Sequence, residues 1–224
     1  MTRVPRTLGV FGGSFDPIHT GHLGTVEAVR RRLGLDTVLI VPAAAAPHKP
    51  DGPEASAFHR FAMAALALQE FPDFLLSDFE VSRGGTSYSV DTLRRARESF
   101  PGSEVYLIVG SDTLLTLPTW RAYPEIVATT RMGVLFREPD DYQSVRAALP
   151  PELLERLAPE DAVPATAPPG KTIFWGGNAP DTISSTWLRK AIRAGANLSG
   201  KLPPSVERYL RREKLYPSPP PGAP

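Results

Sequence analysis

The chain of 224 residues contains no cysteine. Disulfides, thiol catalysis and cysteine-ligated zinc are therefore excluded together, and a reducing, cytoplasmic setting fits without being required. Long apolar runs are missing too. Thr37 to Ala46 is interrupted at Pro42 and Phe61 to Leu68 is short, so neither approaches the roughly 20 residues of a membrane span. Met1-Thr2-Arg3-Val4-Pro5-Arg6 carries charge with no apolar core behind it, against the pattern of a secretion signal. A formal net charge of +1 leaves no basic excess for general nucleic-acid binding. Two common phosphate-binding patterns, G-x-G-x-x-G and the P-loop with its Lys-Ser/Thr pair, do not occur in the first strand–turn–helix. Proline, at 25 residues, is abundant instead, and reads as a compositional habit.

What is present is organised around Gly9 to Leu23. Thr7 to Phe11 is short, apolar and β-prone, as a buried strand should be. Gly12-Gly13 is expected to break that strand and to let backbone approach a ligand. Asp16-Pro17 makes a turn, and Leu23, Val26, Ala28-Val29 and Leu33 take up helical spacing from about Gly21. Strand, glycine turn and helix in that order aim free helix N–H groups at whatever sits above the strand end, which suits phosphate. His19 and His22 stand at the mouth as further donors.

Beyond this unit strands and helices alternate. Strands are expected at Thr37 to Val41, Leu75 to Val81, Glu104 to Val109, Met132 to Phe136 and Thr172 to Trp175. Helices are expected over Phe58 to Phe71, from Ser89 as cap to about Ser99, over Leu114 to Trp120, Tyr123 to Thr129, Ser185 to about Ala194, and Pro203 to Glu213. In the first of these Phe58, Phe61, Ala65 and Leu68 mark the apolar face. The alternation predicts an α/β, Rossmann-like, doubly wound parallel sheet with helices on both faces, ligands lying at the carboxyl ends of the strands. A single domain over residues 1–216 is expected. It carries a surface excursion over about 137–171 and a flexible, proline-rich tail over 217–224.

The chemistry-bearing residues form a set directed at phosphate. Glycine N–H groups, the imidazoles of His19 and His22, Lys49, the hydroxyls of Ser184, Ser185 and Thr186, and Arg189 can all donate to anionic oxygens. No activated serine or cysteine stands beside the histidines, and no dense carboxylate cluster is there to hold paired metals. This suits direct phosphoryl-type transfer, with the nucleophile an oxygen of a second substrate. Magnesium would arrive largely with a triphosphate. Blander roles compete: a His-x-x-His pair more often packs or caps, Ser-Ser-Thr before a helix is usually a cap, Lys49 a solvated side chain, Trp120 a core residue and Arg189 a surface charge. A zinc site joining the histidines to Asp16 or His48 stays open, with no third ligand set by spacing.

His19-Thr20-Gly21-His22 has the H-x-G-H form of the nucleotidylyltransferase superfamily. Ile183-Ser184-Ser185-Thr186-Trp187-Leu188-Arg189 has the form of its second signature. With Pro47-His48-Lys49, Thr86 to Leu93, Gly110-Ser111-Asp112 and Pro118-Thr119-Trp120, nearly the whole chain resembles the bacterial nicotinate-nucleotide adenylyltransferases. The resemblance implies transfer of the adenylyl group of ATP to nicotinic acid mononucleotide. The runner-up is a sister enzyme acting on phosphopantetheine or nicotinamide mononucleotide.

It implies further that Gly12, Gly13, Ser14 and Phe15 border the ATP, that His19, His22, Lys49 and Arg189 act on its phosphates, and that His22 lies nearest the α-phosphate. Ser185 would hold the outgoing pyrophosphate with Arg189, Ser184 and Thr186 would contact the ATP beside them, and the backbone around Ile183 would lie near the adenine. On the acceptor side it implies Ser14, Phe15, His48, the Ser87-Tyr88-Ser89 loop, Gly110, Asp112 on a ribose hydroxyl, Trp120 stacked on the pyridine ring, and Arg121. Ser89 replaces an expected threonine, and Lys49 replaces an arginine fork with a point charge. The partners so implied are ATP and the mononucleotide, with Mg²⁺ carried by ATP and neither nucleic acid nor membrane; a homodimer is left open.

Overall fold

The computed structural model describes residues 4–45, 52–136, 140–178 and 183–217. Its centre is a six-stranded, all-parallel sheet in the order β3-β2-β1-β4-β5-β6. The strands are β1 (Thr7–Gly13), β2 (Thr37–Pro42), β3 (Phe74–Leu76), β4 (Glu104–Gly110), β5 (Arg131–Phe136) and β6 (Ile173–Asn178). Parallel neighbours need crossovers, and helices supply them. Chain order reverses between β1 and β4, so their carboxyl ends open the crevice in which such sheets bind ligands.

Alternation along the strands divides the core in two. Leu8 and Val10 with Val105, Leu107 and Val109 face one side, where α4 (Ser89–Ser99), α5 (Ser111–Thr116) and α6 (Tyr123–Thr129) cover them. Tyr106, Ile108, Val38 and Ile40 face the other, covered by α1 (Thr20–Leu33), α2 (Ala57–Ala67), α9 (Ser185–Arg193) and α10 (Pro204–Arg212). The doubly wound sheet expected from the alternation is thus present.

Several local expectations differ from the structure. Gly12 and Gly13 do not break β1; they remain in it, opposite Val41 and Pro42, because β2 runs on far enough to pair them. Leu75 to Val81 is not one strand. β3 ends at Leu76, the Ser77 hydroxyl accepts the Phe79 N–H, and α3 (Phe79–Arg83) follows. The helix expected over Phe58 to Phe71 ends at Ala67 and continues as a 3₁₀ turn, Leu68–Glu70. Its inward face is Arg60, Met63, Ala64 and Ala67, while Phe58 is 74% exposed. Ser89 is the first residue of α4, with Tyr88 at the cap position.

The stretch read as a surface excursion holds α7 (Tyr142–Ala148), capped by Asp141, and α8 (Pro151–Leu154). Tyr142, Val145, Leu149, Leu153 and Leu157 join the core there. Pro47, His48 and Lys49, and the tail beyond Pro217, lie outside the described residues.

Candidate active site

The turn from β1 to α1 is held at almost every polar group. His19 is the N-cap of α1: its Nδ1 accepts the backbone N–H of His22 at 3.2 Å. With Nδ1 accepting, a neutral His19 carries its proton on Nε2. The glycine between the two histidines follows from this cap. A Cβ on Gly21 would sit 3.1 Å from His19 Nδ1 and 3.6 Å from Ile183 Cβ. The two imidazoles stack at 3.6 Å, and Phe15 meets His22 edge-on at 5.2 Å. His19 is buried and His22 half-buried. Phe15, buried in the core, holds a left-handed φ of 49°. That conformation costs an L residue about 1–2 kcal/mol and persists only where the surroundings fix it.

The surroundings do fix it. Arg60, 1% exposed, reaches from α2 with its guanidinium to three carbonyls, those of Ser14 (2.6 Å), Ala44 (3.0 Å) and Ala55 (3.1 Å). Burial pulls its pKa below the ordinary arginine value, opposed by the charges of Asp16, Tyr216 and Glu80. On the other side of Phe15 the buried Asp16 carboxylate accepts the N–H groups of Glu54 (2.8 Å) and Ala55 (3.1 Å) and the hydroxyl of Tyr216 (2.8 Å). Burial first, and Asp16 second, push the Tyr216 hydroxyl far above the usual tyrosine pKa, so it is a donor at any ordinary pH.

The second signature comes to the same turn. Ser184 caps α9 by accepting the Trp187 N–H. The Ser185 hydroxyl donates to the Pro17 carbonyl at 3.0 Å, and Arg189 Nη1 donates to the Asp16 carbonyl at 2.8 Å. Arg189 Nε lies on Glu54 at 2.6 Å, while among the described residues Nη2 reaches the Thr186 hydroxyl at 3.5 Å. The first turns of α1 and α9, far apart in the chain, therefore meet at one place. There the two helix N-termini, with His19, His22 and Arg189, form a positive site suited to a polyphosphate.

The residues expected on the acceptor side lie at and after the end of β4 and in the loop before α4. Gly110 ends β4, and a Cβ there would lie 2.5 Å from Asp112 Oδ1, so a larger residue would push that exposed carboxylate aside. Asp112 is exposed, whereas Ser111 beneath it is buried and donates to Asp140 at 2.6 Å. Trp120 follows the 3₁₀ turn Leu117–Thr119 and is half-buried. The Arg121 guanidinium turns back over the Tyr88 ring at 4.7 Å, which joins the Trp120 segment to the Ser87-Tyr88-Ser89 loop. The Ser87 hydroxyl accepts the Ala44 N–H at 3.1 Å, tying that loop to the end of β2.

Sequence reasoning missed Arg60, Glu54 and Tyr216, and read Asp16 as half of a turn or a candidate zinc ligand, not as the acceptor that ties the turn to Glu54, Ala55 and Tyr216. Arg60 had one available signal: Met63, Ala64 and Ala67 share a helical face with position 60. The expected roles of His48 and Lys49 fall outside the described residues. Among the described residues no group of three His, Asp or Glu side chains is placed to hold a metal.

A sequence family described as cytidylyltransferase-like matches residues 10–191. A relative named a probable nicotinate-nucleotide adenylyltransferase, from Geobacter sulfurreducens, is 36% identical over 93% of this chain and 97% of its own length. One of the same name from Geotalea uraniireducens is 37% identical over 93% and 97%. Among solved structures, a Plasmodium falciparum nicotinic acid mononucleotide adenylyltransferase complexed with NaAD superposes with a TM-score of 0.69 at 18% identity, covering 94% of this chain and 97% of that one.

Proposed function

The chain belongs to the cytidylyltransferase-like family and, within it, to the nicotinate-nucleotide adenylyltransferases, and we propose that its two lips hold ATP and nicotinic acid mononucleotide side by side above the β1–β4 crevice. The reaction joins the adenylyl group of ATP to the mononucleotide, giving deamido-NAD and pyrophosphate. The observation that carries the assignment of sites is the meeting of α1 and α9 at Asp16-Pro17, through Ser185 and Arg189.

In this reading a phosphate oxygen of the mononucleotide attacks the α-phosphorus of ATP. The bond to the β-phosphate oxygen breaks, and pyrophosphate leaves on the far side. The protein supplies position and electrostatic stabilisation. His22, and His19 through Nε2, donate to oxygens that gain charge. The first N–H groups of α9 and the Nη2 edge of Arg189 receive the pyrophosphate. Magnesium fits as a companion of the triphosphate, since the carboxylate nearest the turn, Asp16, already accepts three hydrogen bonds and Mg²⁺ retains most of its waters.

On the acceptor side Asp112 takes a ribose hydroxyl and Trp120 stacks on the pyridine. Backbone N–H groups after Trp120 and in the Thr86 to Ser89 loop meet the nicotinate carboxylate, and Arg121, held over Tyr88, adds positive charge to that wall. An amide would present its NH₂ to those donors, and one buried donor left unpaired costs about 1–3 kcal/mol. No helix among the described residues is long and apolar enough to cross a membrane, and the cysteine-free composition supports a cytoplasmic enzyme.

Pyrophosphate release with ATP and three acceptors tests this. Nicotinic acid mononucleotide should support turnover, its amide at least about tenfold less well in kcat/KM, and phosphopantetheine not at all. Turnover with phosphopantetheine, or equal use of acid and amide, would overturn the acceptor assignment.

A further inference from the structure

Arg60 is an arginine with almost no exposure, and among the described residues it forms no ion pair. A buried guanidinium held by neutral carbonyls is a costly way to secure a helix. What it contacts explains its presence. The Ser14 carbonyl lies in the turn that carries His19 and His22, and the Ala55 carbonyl is beside the N–H groups held by Asp16. Ala44 is shared: its carbonyl accepts from Arg60 and its N–H donates to Ser87 on the acceptor loop. One planar fork therefore spans the phosphate turn and, through a single residue, the acceptor loop.

Tyr216 closes the same assembly from the C-terminal end. Its hydroxyl meets Asp16 on the other side of the strained Phe15. Tyr216 is itself left-handed, with φ of 56°, so its placement is imposed by the segment after α10.

We propose that Arg60 and Tyr216 are positioning residues for adenylyl transfer, Arg60 setting the spacing between the phosphate turn and the acceptor loop and Tyr216 fixing Asp16 and so the orientation of the histidines. This rests on the function proposed above. Neither residue touches substrate. Their effect is on the alignment of the attacking oxygen with the α-phosphorus, a term that acts on kcat more than on either KM.

The test compares Arg60→Lys and Tyr216→Phe with Tyr209→Phe. Arg60→Lys keeps charge but replaces the three-way fork by one ammonium. Tyr216→Phe removes a single oxygen. Tyr209 donates to or accepts from His59 Nδ1 at 2.8 Å across the same α2–α10 seam without contacting the turn, so it is the control. With folding checked by circular dichroism, kcat should fall about thirtyfold or more in Arg60→Lys and about five- to tenfold in Tyr216→Phe, with both KM values within about threefold; Tyr209→Phe should stay within about twofold of the parent.

The second readout is the imidazole ¹⁵N spectrum, tractable with four histidines in the chain. The resonances of His19 and His22 should move in the first two variants and stay in the control. If Arg60→Lys does not fold, Tyr216→Phe decides. Unchanged kcat in folded Tyr216→Phe, or an equal loss in Tyr209→Phe, would overturn the proposal. A parent that does not turn over nicotinic acid mononucleotide would instead refute the functional reading, and the ¹⁵N comparison would then decide the brace alone.

Discussion

Between β1 and α1 nearly every polar group is engaged by the fold, whereas between β4 and α6 the groups proposed to meet the mononucleotide are more exposed. His19 caps, Asp16 accepts three hydrogen bonds, Ser185 and Arg189 reach into the turn, and Phe15 and Ile18 are buried. On the other lip Asp112 and Arg121 are exposed and Trp120 is half-buried, and one cation–π contact ties Arg121 to Tyr88. The difference matches the chemistry. Charge develops at the α-phosphate, where donors must already be in place when it appears. The pyridine and ribose need only be held, and a wall that adjusts to its ligand can do so.

The comparison breaks first at His22. His22→Ala should lower kcat by about 10²–10³, the value of one preorganised donor to a developing anion, with a melting temperature close to the parent's. A variant within a few-fold of the parent would make His22 a packing residue. Trp120→Ala should behave in the opposite way: KM for the mononucleotide rises about tenfold, from lost stacking, while kcat and KM for ATP stay within about threefold. A collapse of kcat there would mean that both lips are preorganised alike.

The smallest effect lies away from both lips, in the middle of α1. There Glu27 pairs with Arg30 at 2.7 Å and Arg31 at 2.5 Å, and the Arg30 hydrogen bond leads in holding its pKa below 4.5 against partial burial. Because the folded pKa is the lower one, the pair stabilises above the unfolded value and its contribution is lost as pH falls through the folded value. Glu27→Gln should therefore cost about 0.5 kcal/mol at pH 7, with no change in kcat. Urea midpoints of the two proteins should converge below pH 4.5. A difference independent of pH would assign the loss to packing.

Much of this was legible in the sequence, for reasons that are local. The first strand and the helix after it follow from residue order, though Gly12 and Gly13 stay in the strand, and the parallel sheet follows from alternation. The two signatures could be placed at one end of the sheet because each stands where a strand gives way to a helix. What was not legible depends on contacts distant in the chain. Arg60 looks like a solvated charge until Ser14 and Ala44 are folded around it, and Phe58 looks like core until that face is found to be occupied by Arg60. Leu75 to Val81 reads as a plausible strand, yet Glu80 is buried and pairs with Thr92 on α4. The partnership of Tyr216 with Asp16 spans the chain and leaves no periodic trace.

The central claim is that this site transfers the adenylyl group directly, by alignment and charge stabilisation, with no adenylyl-enzyme. The stereochemistry at the α-phosphorus tests it most directly. ATP made chiral by sulfur at the α-position should be converted with nicotinic acid mononucleotide to a dinucleotide of inverted configuration, as one in-line displacement requires. Net retention would show two displacements and an enzyme nucleophile, and would contradict the account.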